Sequence, residues 1–218
     1  MNSRKGYILK AAEESLRRLD IETIDLYQIH WPDPETPIDE PAEALEELIR
    51  AGKVRYPGVS NYSVEQMERW RMKARLQSLQ PLYNLFQRDA ERELLPYCLK
   101  NDIGVVAYSP LAKGLLGGKL SLQTKFDPDD SRSSEPLFQG GTFRRNLEIV
   151  ERLRGVAQLH GRTMAQLAVA WVLAHPAVTA APVGAKRPSQ IEDAAGASDW
   201  AMSRETLCEI EAIVTGPV

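Results

Sequence analysis

The feature that most constrains the fold of this chain is a mostly apolar run, residues 24–29, that leads directly into His30 and Trp31. Helical patterns flank the run on both sides, and a strand in that setting belongs to a parallel α/β sheet whose two faces are covered. Ligands bind to such sheets where the strands end. The run therefore predicts a strand that places His30 at its carboxyl end, and the other strand ends are the next places to examine.

The rest of the chain repeats the alternation of strand and helix. Further strands are predicted at about residues 54–61, 79–84, 104–108 and 179–183. Helices are predicted at about residues 8–19, 39–50, 92–100, 143–159, 163–174 and 203–214, with shorter ones beginning after Ser63 and at Pro188. Repeated βα units favour a (β/α) barrel over an open sheet, and no Gly-x-Gly-x-x-Gly run follows a strand.

Two segments do not fit this regular pattern. Pro57 lies inside the second predicted strand, where it cannot donate a hydrogen bond to a neighbouring strand. Residues 117–141 lose all periodicity and are rich in Asp, Ser, Gly and Pro. A loop of that length is expected to be either disordered or a lid over a site.

Composition excludes several classes of function. The chain has 218 residues, of which 43% are hydrophobic and 26% charged, so we expect one globular domain over residues 1–218. A formal net charge of -3 argues against nucleic acid or an anionic membrane as a partner. Cys98 and Cys208 lie far apart and offer neither a disulfide framework nor zinc spacing, and the three histidines show no metal-binding spacing. With no signal peptide or membrane-spanning run in this sequence, we expect a cytoplasmic protein without a metal site.

The predicted strand ends carry amides, hydroxyls, an aromatic ring and cations, but few acids or nucleophiles. The set comprises His30, Ser60, Asn61, Asn84, Gln87, Tyr108, Ser109, Lys186 and Arg187. Taken alone, each has an ordinary structural explanation, such as a helix cap or a solvated surface. Together, amides suit a carboxamide, an aromatic ring suits stacking on a flat ring, and cations at a helix start suit a phosphate. The combination favours a nicotinamide dinucleotide as ligand.

Four stretches of this sequence resemble the aldo-keto reductases, in particular the branch that includes bacterial oxidoreductases and potassium-channel β-subunits. The stretches are residues 25–31, 52–62, 108–114 and 182–187. The resemblance covers essentially the whole chain in the right order. It implies an α/β fold, an incomplete (β/α)8 TIM barrel with about five parallel strands and surrounding helices, and NADPH-dependent reduction of aldehydes or ketones.

The resemblance also implies a role for each site residue. His30 would be the active-site histidine that faces the carbonyl of a small-molecule substrate. Ser60, Asn61 and Gln87 would hold the nicotinamide carboxamide, while Tyr108 would stack on the nicotinamide ring. The pyrophosphate would lie against Ser109, Leu111, Lys113 and Gly114. The adenosine end would lie against Gly184, Lys186, Arg187 and Gln190, and the two cations would favour the 2′-phosphate of NADPH.

One part of the family pattern has no counterpart in this sequence. The family's general acid is a Tyr in an Asp-Thr-Ala-x-x-Tyr-Gly motif, supported by a Lys on the next strand, and both precede the segment that resembles this chain. We therefore expect a truncated chain without the first three strands, with open barrel edges through which it self-associates. Three interpretations stay open: an impaired reductase, a non-catalytic NADPH-binding or regulatory module, and a truncated gene product.

Overall fold

The computed structural model describes residues 1–216, which divide into two compact units. Unit 1 comprises Met1–Pro81 and Ala90–Val106, and unit 2 comprises Leu82–Asp89 and the chain from Ala107 onward. The expectation of a single domain over residues 1–218 stays a prediction.

Unit 1 alternates helices and strands along the chain. The helices are α1 (Lys5–Leu19), α2 (Asp39–Arg50), α3 (Val64–Arg71) and α4 (Leu94–Lys100). The strands are β1 (Ile24–Ile29), β2 (Val54–Ser60), β3 (Ser78–Gln80) and β4 (Gly104–Val106). Consecutive strands are parallel neighbours, so their carboxyl ends lie at one edge of the sheet.

The two faces of this sheet differ in polarity. Val59, Leu79 and Val105 are completely buried, and helices such as α1 bury a matching apolar stripe at Ile8, Ala12 and Leu16. Because side chains alternate between faces along a strand, the residues in between point to the opposite face. That opposite face carries the polar side chains of Gln28, Ser78 and Gln80.

A hydrogen-bonded chain of side chains crosses the polar face directly above Gly58. Gln28 on β1 donates its Nε2 hydrogen to Ser78 Oγ on β3 at 3.0 Å, and Gln80 Nε2 donates to Gln28 Oε1 at 2.9 Å. Gly58 on β2 pairs with Gln28 on one side and with Ser78 on the other. A Cβ atom at residue 58 would lie 2.0 Å from Ser78 Oγ, so only glycine leaves room for this contact.

Pro57 is accommodated in β2 because the pairing with β3 begins only at the next residue. Pro57 pairs with Tyr27 on β1, and its carbonyl accepts a hydrogen bond from Gln77 N at 3.1 Å. In a regular parallel ladder, an amide at residue 57 would donate to the carbonyl of Arg75. Trp70 Nε1 donates to that carbonyl instead, at 2.9 Å. The missing proline donor therefore leaves no unpaired acceptor at this position.

Unit 2 contains the long helices of the carboxyl-terminal half. These are α5 (Gly140–Leu159), α6 (Met164–Leu173), α7 (Pro188–Ala195) and α8 (Arg204–Thr215), together with one strand, β5 (Val178–Ala180). Ala107 N donates to the carbonyl of Ala180 at 2.8 Å, which ties the start of the 107–118 segment to β5. Completely buried Leu153, Leu167 and Leu116 contribute to its core.

The aperiodic stretch from residue 117 to residue 141 folds into short 3-10 turns at Ser131–Ser133 and Pro136–Phe138. An aromatic cluster anchors it, since the rings of Phe126 and Phe138 lie 5.2 Å apart and those of Phe138 and Phe143 lie 5.9 Å apart. Phe143 belongs to α5, so the cluster attaches this loop to a long helix.

The predicted order of elements and the α/β fold class are confirmed, with five strands in residues 1–216. The boundaries of some strands differ from the prediction. β3 ends at Gln80 because Pro81 follows, and Leu82 then pairs with Tyr108 within unit 2. β5 ends at Ala180, before Pro182, which cannot donate to a neighbouring strand.

Substituting Gly58→Ala should destabilise unit 1. The added methyl group must displace Ser78 Oγ and approach the Ser78 carbonyl oxygen at 3.1 Å, and such overpacking costs about 1–3 kcal/mol. Gly6→Ala is the control, because nothing lies within 4 Å of a Cβ atom at that position of α1. Urea unfolding monitored by circular dichroism should show a lower midpoint for Gly58→Ala alone, and equal midpoints for both variants would contradict this account.

Candidate functional site

Three predicted site residues meet at the carboxyl ends of β1 and β2 in unit 1. Asn61 Nδ2 donates to the backbone carbonyl of His30 at 3.1 Å and lies 3.0 Å from Ser60 Oγ. Ser60 Oγ donates in turn to the carbonyl of Gln80 at 2.8 Å, and Ser60 itself is buried. The hydrogen bonds fix the positions of the strand ends relative to one another.

The backbone of Asn61 adopts a left-handed conformation, with φ of 63°. This conformation is uncommon for residues other than glycine, and asparagine is one of the residues that tolerate it best. It turns the chain out of β2 immediately before Ser63, which caps α3 in a capping box with Gln66. Asn61 therefore combines a turn that the fold requires with a side chain that reaches the adjacent strand end.

His30 is exposed at the end of β1, and the loop after it is held by Asp33. Asp33 Oδ2 accepts from Thr36 Oγ1 at 2.7 Å and from Ser3 N at 3.0 Å, while Oδ1 accepts from Glu35 N at 3.1 Å. These hydrogen bonds, with that from Thr36 the largest contribution, lower the pKa of the Asp33 carboxyl group. His30 and Trp31 also line a groove of about 290 Å³, so the imidazole is accessible to a small molecule.

In unit 2, the completely buried Asn84 connects two predicted site residues. Its Nδ2 donates to Gln87 Oε1 at 3.0 Å and to the carbonyl of Ser109 at 3.1 Å, while its Oδ1 accepts from Phe86 N at 3.0 Å. The backbones of Asn84 and Gln87 also form a small antiparallel bridge. Asn84 thus fixes the distance between Gln87 and the segment that begins at Ser109.

Tyr108 is half-buried beside this segment. Burial raises the pKa of its phenol, and the positive charge of Lys113 acts in the opposite direction. Tyr108 pairs with Leu82, and Tyr83 N donates to its carbonyl at 3.3 Å. The backbone position of Tyr108 is therefore well defined, and the stacking of its ring on nicotinamide stays a prediction.

The segment that follows Tyr108 contains several residues in the left-handed region. The φ angles are 57° at Ser109, 45° at Ala112, 53° at Lys113 and 95° at Gly114. Residues in this region carry strain that the surrounding structure must compensate, and such residues cluster at ligand sites. The segment curves tightly as a result, and it forms one wall of a cavity.

That cavity has a volume of about 460 Å³ and lies entirely within unit 2. Seven predicted site residues line it, namely Ser109, Leu111, Lys113, Gly114, Gly184, Lys186 and Gln190. Gln87, Tyr108 and Arg187 are not among its lining residues. Both Lys113 and Lys186 contribute positive charge, so the cavity suits an anionic ligand.

The structure adds Arg132 and Asp193 to the lining, two residues that the sequence did not identify. Asp130 accepts hydrogen bonds from Arg132 Nη2 at 2.5 Å and from Arg132 Nε at 3.0 Å, and these bonds lower the pKa of Asp130 to about 2. The guanidinium of Arg132 also lies 4.5 Å from the centre of the Phe126 ring. For Arg132, the only available signal in the sequence was the lid-like composition of residues 117–141.

Gln190 has a clear structural role at the start of α7. Its Oε1 accepts hydrogen bonds from the backbone amides of Lys186 and Arg187, at 2.8 Å and 3.1 Å. The glutamine side chain therefore holds the backbone that carries both cations.

Metal centres and membrane-spanning helices are both absent from residues 1–216, the part of the chain that the structure describes. Within residues 1–216, no group of three or more His, Cys, Asp or Glu side chains is arranged to hold a metal ion. None of the helices in this part of the chain has the length and apolar character needed to cross a membrane.

The predicted site residues therefore form two groups. His30, Ser60 and Asn61 lie together in unit 1, and the remaining ones belong to unit 2. The assembly of both groups around one nucleotide stays a prediction.

Comparisons with known proteins agree on one family. The model of the aldo/keto reductase family matches residues 1–215. The chain is 40% identical to aldo-keto reductase YhdN of Bacillus subtilis, over the whole chain and 66% of that protein. It is 34% identical to aldo-keto reductase yakc [NADP(+)] of Schizosaccharomyces pombe, over 96% of the chain and 63% of that protein.

A solved structure gives the same result. The glycerol dehydrogenase AKR11B4 of Gluconobacter oxydans is 41% identical and superimposes with a TM-score of 0.95, over 100% of this chain and 67% of that one. The chain thus spans about two thirds of the length of these relatives. With a family match over residues 1–215, the chain belongs to the aldo/keto reductase family.

Proposed function

We propose that this chain carries the NADPH-binding portion, and the histidine side of the carbonyl site, of a reductase that converts aldehydes or ketones to alcohols. The observation that carries the proposal is the cationic cavity of unit 2, where predicted nucleotide-binding residues line one space. The name of the yakc relative, which includes NADP(+), supports the choice of nucleotide.

The residues present fit a dinucleotide phosphate. Lys113, Arg132 and Lys186 offer charged donors to phosphate oxygens within one cavity. Gly114 leaves room for close approach, since the nearest atom to a Cβ there is Arg132 Nη1 at 4.0 Å. NADPH, when bound, would supply a hydride to the carbonyl carbon of the substrate.

The family resemblance implies a role for each of these residues, and the chemistry of each side chain suits that role. Ser109, Leu111, Lys113 and Gly114 would hold the pyrophosphate, while Gly184, Lys186, Arg187 and Gln190 would hold the adenosine end. Ser60, Asn61 and Gln87 offer hydroxyl and amide groups to a carboxamide, and Tyr108 offers a ring face. The exposed imidazole of His30 would donate a hydrogen bond to the carbonyl oxygen and so polarise it.

We also propose a cytoplasmic location. Both cysteines are free thiols, and burial raises the pKa of Cys98 to about 12, which keeps that thiol protonated and unreactive. Unpaired cysteines are typical of a reducing compartment.

Replacing Lys186 or Arg187 with Ala should weaken NADPH binding by about tenfold, which corresponds to roughly 1.4 kcal/mol. NADH, which lacks the 2′-phosphate, should bind almost as before. Titration of tryptophan fluorescence measures both affinities, and Arg144→Ala on the exposed side of α5 is the charge-matched control. An equal loss of affinity for NADPH and NADH would show that the cations do not act at the 2′-phosphate.

The 218-residue chain should bind NADPH without measurable turnover. Proton transfer to the developing alkoxide typically contributes about 10² to 10⁴-fold, and this sequence contains no Asp-Thr-Ala-x-x-Tyr-Gly motif to supply the acid. The absorbance of NADPH, recorded in the presence of an aromatic aldehyde, measures turnover and checks this prediction. Turnover by the isolated chain would contradict the proposal of an impaired enzyme, whereas binding without turnover would also fit a regulatory NADPH-binding module.

The isolated chain should also self-associate through β1. Among the described residues of unit 1, β1 pairs with β2 on one side only, and Leu26 on β1 is 38% exposed beside Tyr56, which is 54% exposed. Leu26→Lys should shift the population toward monomer in light scattering after size-exclusion chromatography. The control is Leu122→Lys, which replaces an exposed leucine of the 117–141 loop. A wild-type chain that is monomeric at high concentration would contradict this expectation.

A further inference from the structure

Two acidic residues of one segment, residues 126–138, contact cations that line the cavity of unit 2. Glu135 Oε2 accepts from Lys113 Nζ at 2.5 Å, and Asp130 forms the paired hydrogen bonds with Arg132 described above. Both Lys113 and Arg132 line the cavity. Carboxylates of this segment therefore already contact two of the cations that a phosphate would use.

The two acidic residues differ in what they can do. Asp130 is two positions from Arg132, and both of its carboxylate oxygens accept hydrogen bonds from the guanidinium, so it orients that side chain within one turn. Glu135 reaches a lysine 22 positions away, on the strained segment that follows Tyr108. The Lys113–Glu135 pair therefore links the two walls that these segments provide.

A bound nucleotide would compete for Lys113 with the carboxylate of Glu135. A lysine ammonium is a compact charge, and an anion that contacts it gains most when no second anion shares it. A carboxylate and a phosphate on one ammonium also repel each other, and that repulsion is strong where side chains are partly withdrawn from water. The side chains of Lys113 and Glu135 are 40% and 22% exposed.

We propose that Glu135 competes with nucleotide phosphate for Lys113, and that it thereby limits NADPH affinity and accelerates nucleotide release. This inference rests on the proposed function, because it assigns a role to Lys113 in nucleotide binding. Product release limits turnover in many well-evolved enzymes, and the oxidised nucleotide is one product of a reductase, so a residue that accelerates its release has a function even though it weakens binding.

The test compares Glu135→Gln with Asp129→Asn, since each removes one negative charge from the same segment and Asp129 is exposed. Stopped-flow fluorescence gives the dissociation rate of NADPH, and titration gives Kd. Glu135→Gln should lower Kd by about three- to tenfold, mainly through slower dissociation, because affinity differences among variants of one site arise mostly from the dissociation rate. Asp129→Asn should leave both values nearly unchanged.

A double-mutant cycle separates competition at Lys113 from a general effect of charge. In a Lys113→Gln background, Glu135→Gln should no longer tighten NADPH binding, because the shared cation is absent. Circular dichroism verifies folding of each variant, and Glu135→Ala is a second way to remove the carboxylate.

Two results would overturn the inference. A higher Kd in Glu135→Gln would mean that the ion pair holds the segment over the nucleotide, and an unchanged Kd would mean that Glu135 does not oppose binding. If the wild-type chain binds NADPH and Glu135→Gln has a higher or an unchanged Kd, only this inference is disproved. Wild-type chain that does not bind NADPH disproves the proposed function, and the inference fails with it.

Discussion

The parallel register between β1 and β2 is the constraint on which the arrangement of unit 1 depends. Ile29 pairs with Val59, so β1 and β2 end side by side. Asn61 can therefore reach the carbonyl of His30. A slip of one residue would move every side chain to the opposite face. Gln28 would then no longer face Ser78 across Gly58, and the buried apolar face would turn polar.

Unit 2 depends on backbone geometry more than on a sheet register. The left-handed residues between Ser109 and Gly114 shape one wall of the cavity, and Asn84 holds the start of that segment through a buried amide. A buried amide that loses its partners costs about 1–3 kcal/mol, so this connection resists rearrangement. Lys113, one of the charged side chains that line the cavity, is carried on this wall, whose path these contacts fix.

Sequence patterns predicted the strand ends well because a polar residue after an apolar run has a simple physical meaning. His30, Asn61 and Ser109 were found in this way, and each lies directly after a strand or a strand-like pairing. Arg132 could not be found, because its place in the cavity depends on the packing of an aperiodic loop around Phe126. The short extent of β3 was missed because Pro81 ends the pairing while the apolar pattern continues.

The aromatic cluster of Phe126, Phe138 and Phe143 has a consequence for the thermodynamics of ligand capture. A loop that becomes ordered only when its ligand arrives subtracts that loss of conformational entropy from the affinity. Here the packing of the three rings, with Phe126 and Phe143 at 6.4 Å, restricts the conformations open to the loop and so reduces the conformational entropy that it can lose on binding. The aromatic rings should therefore contribute little to the heat-capacity change on ligand capture, because Phe138 and Phe143 are already buried.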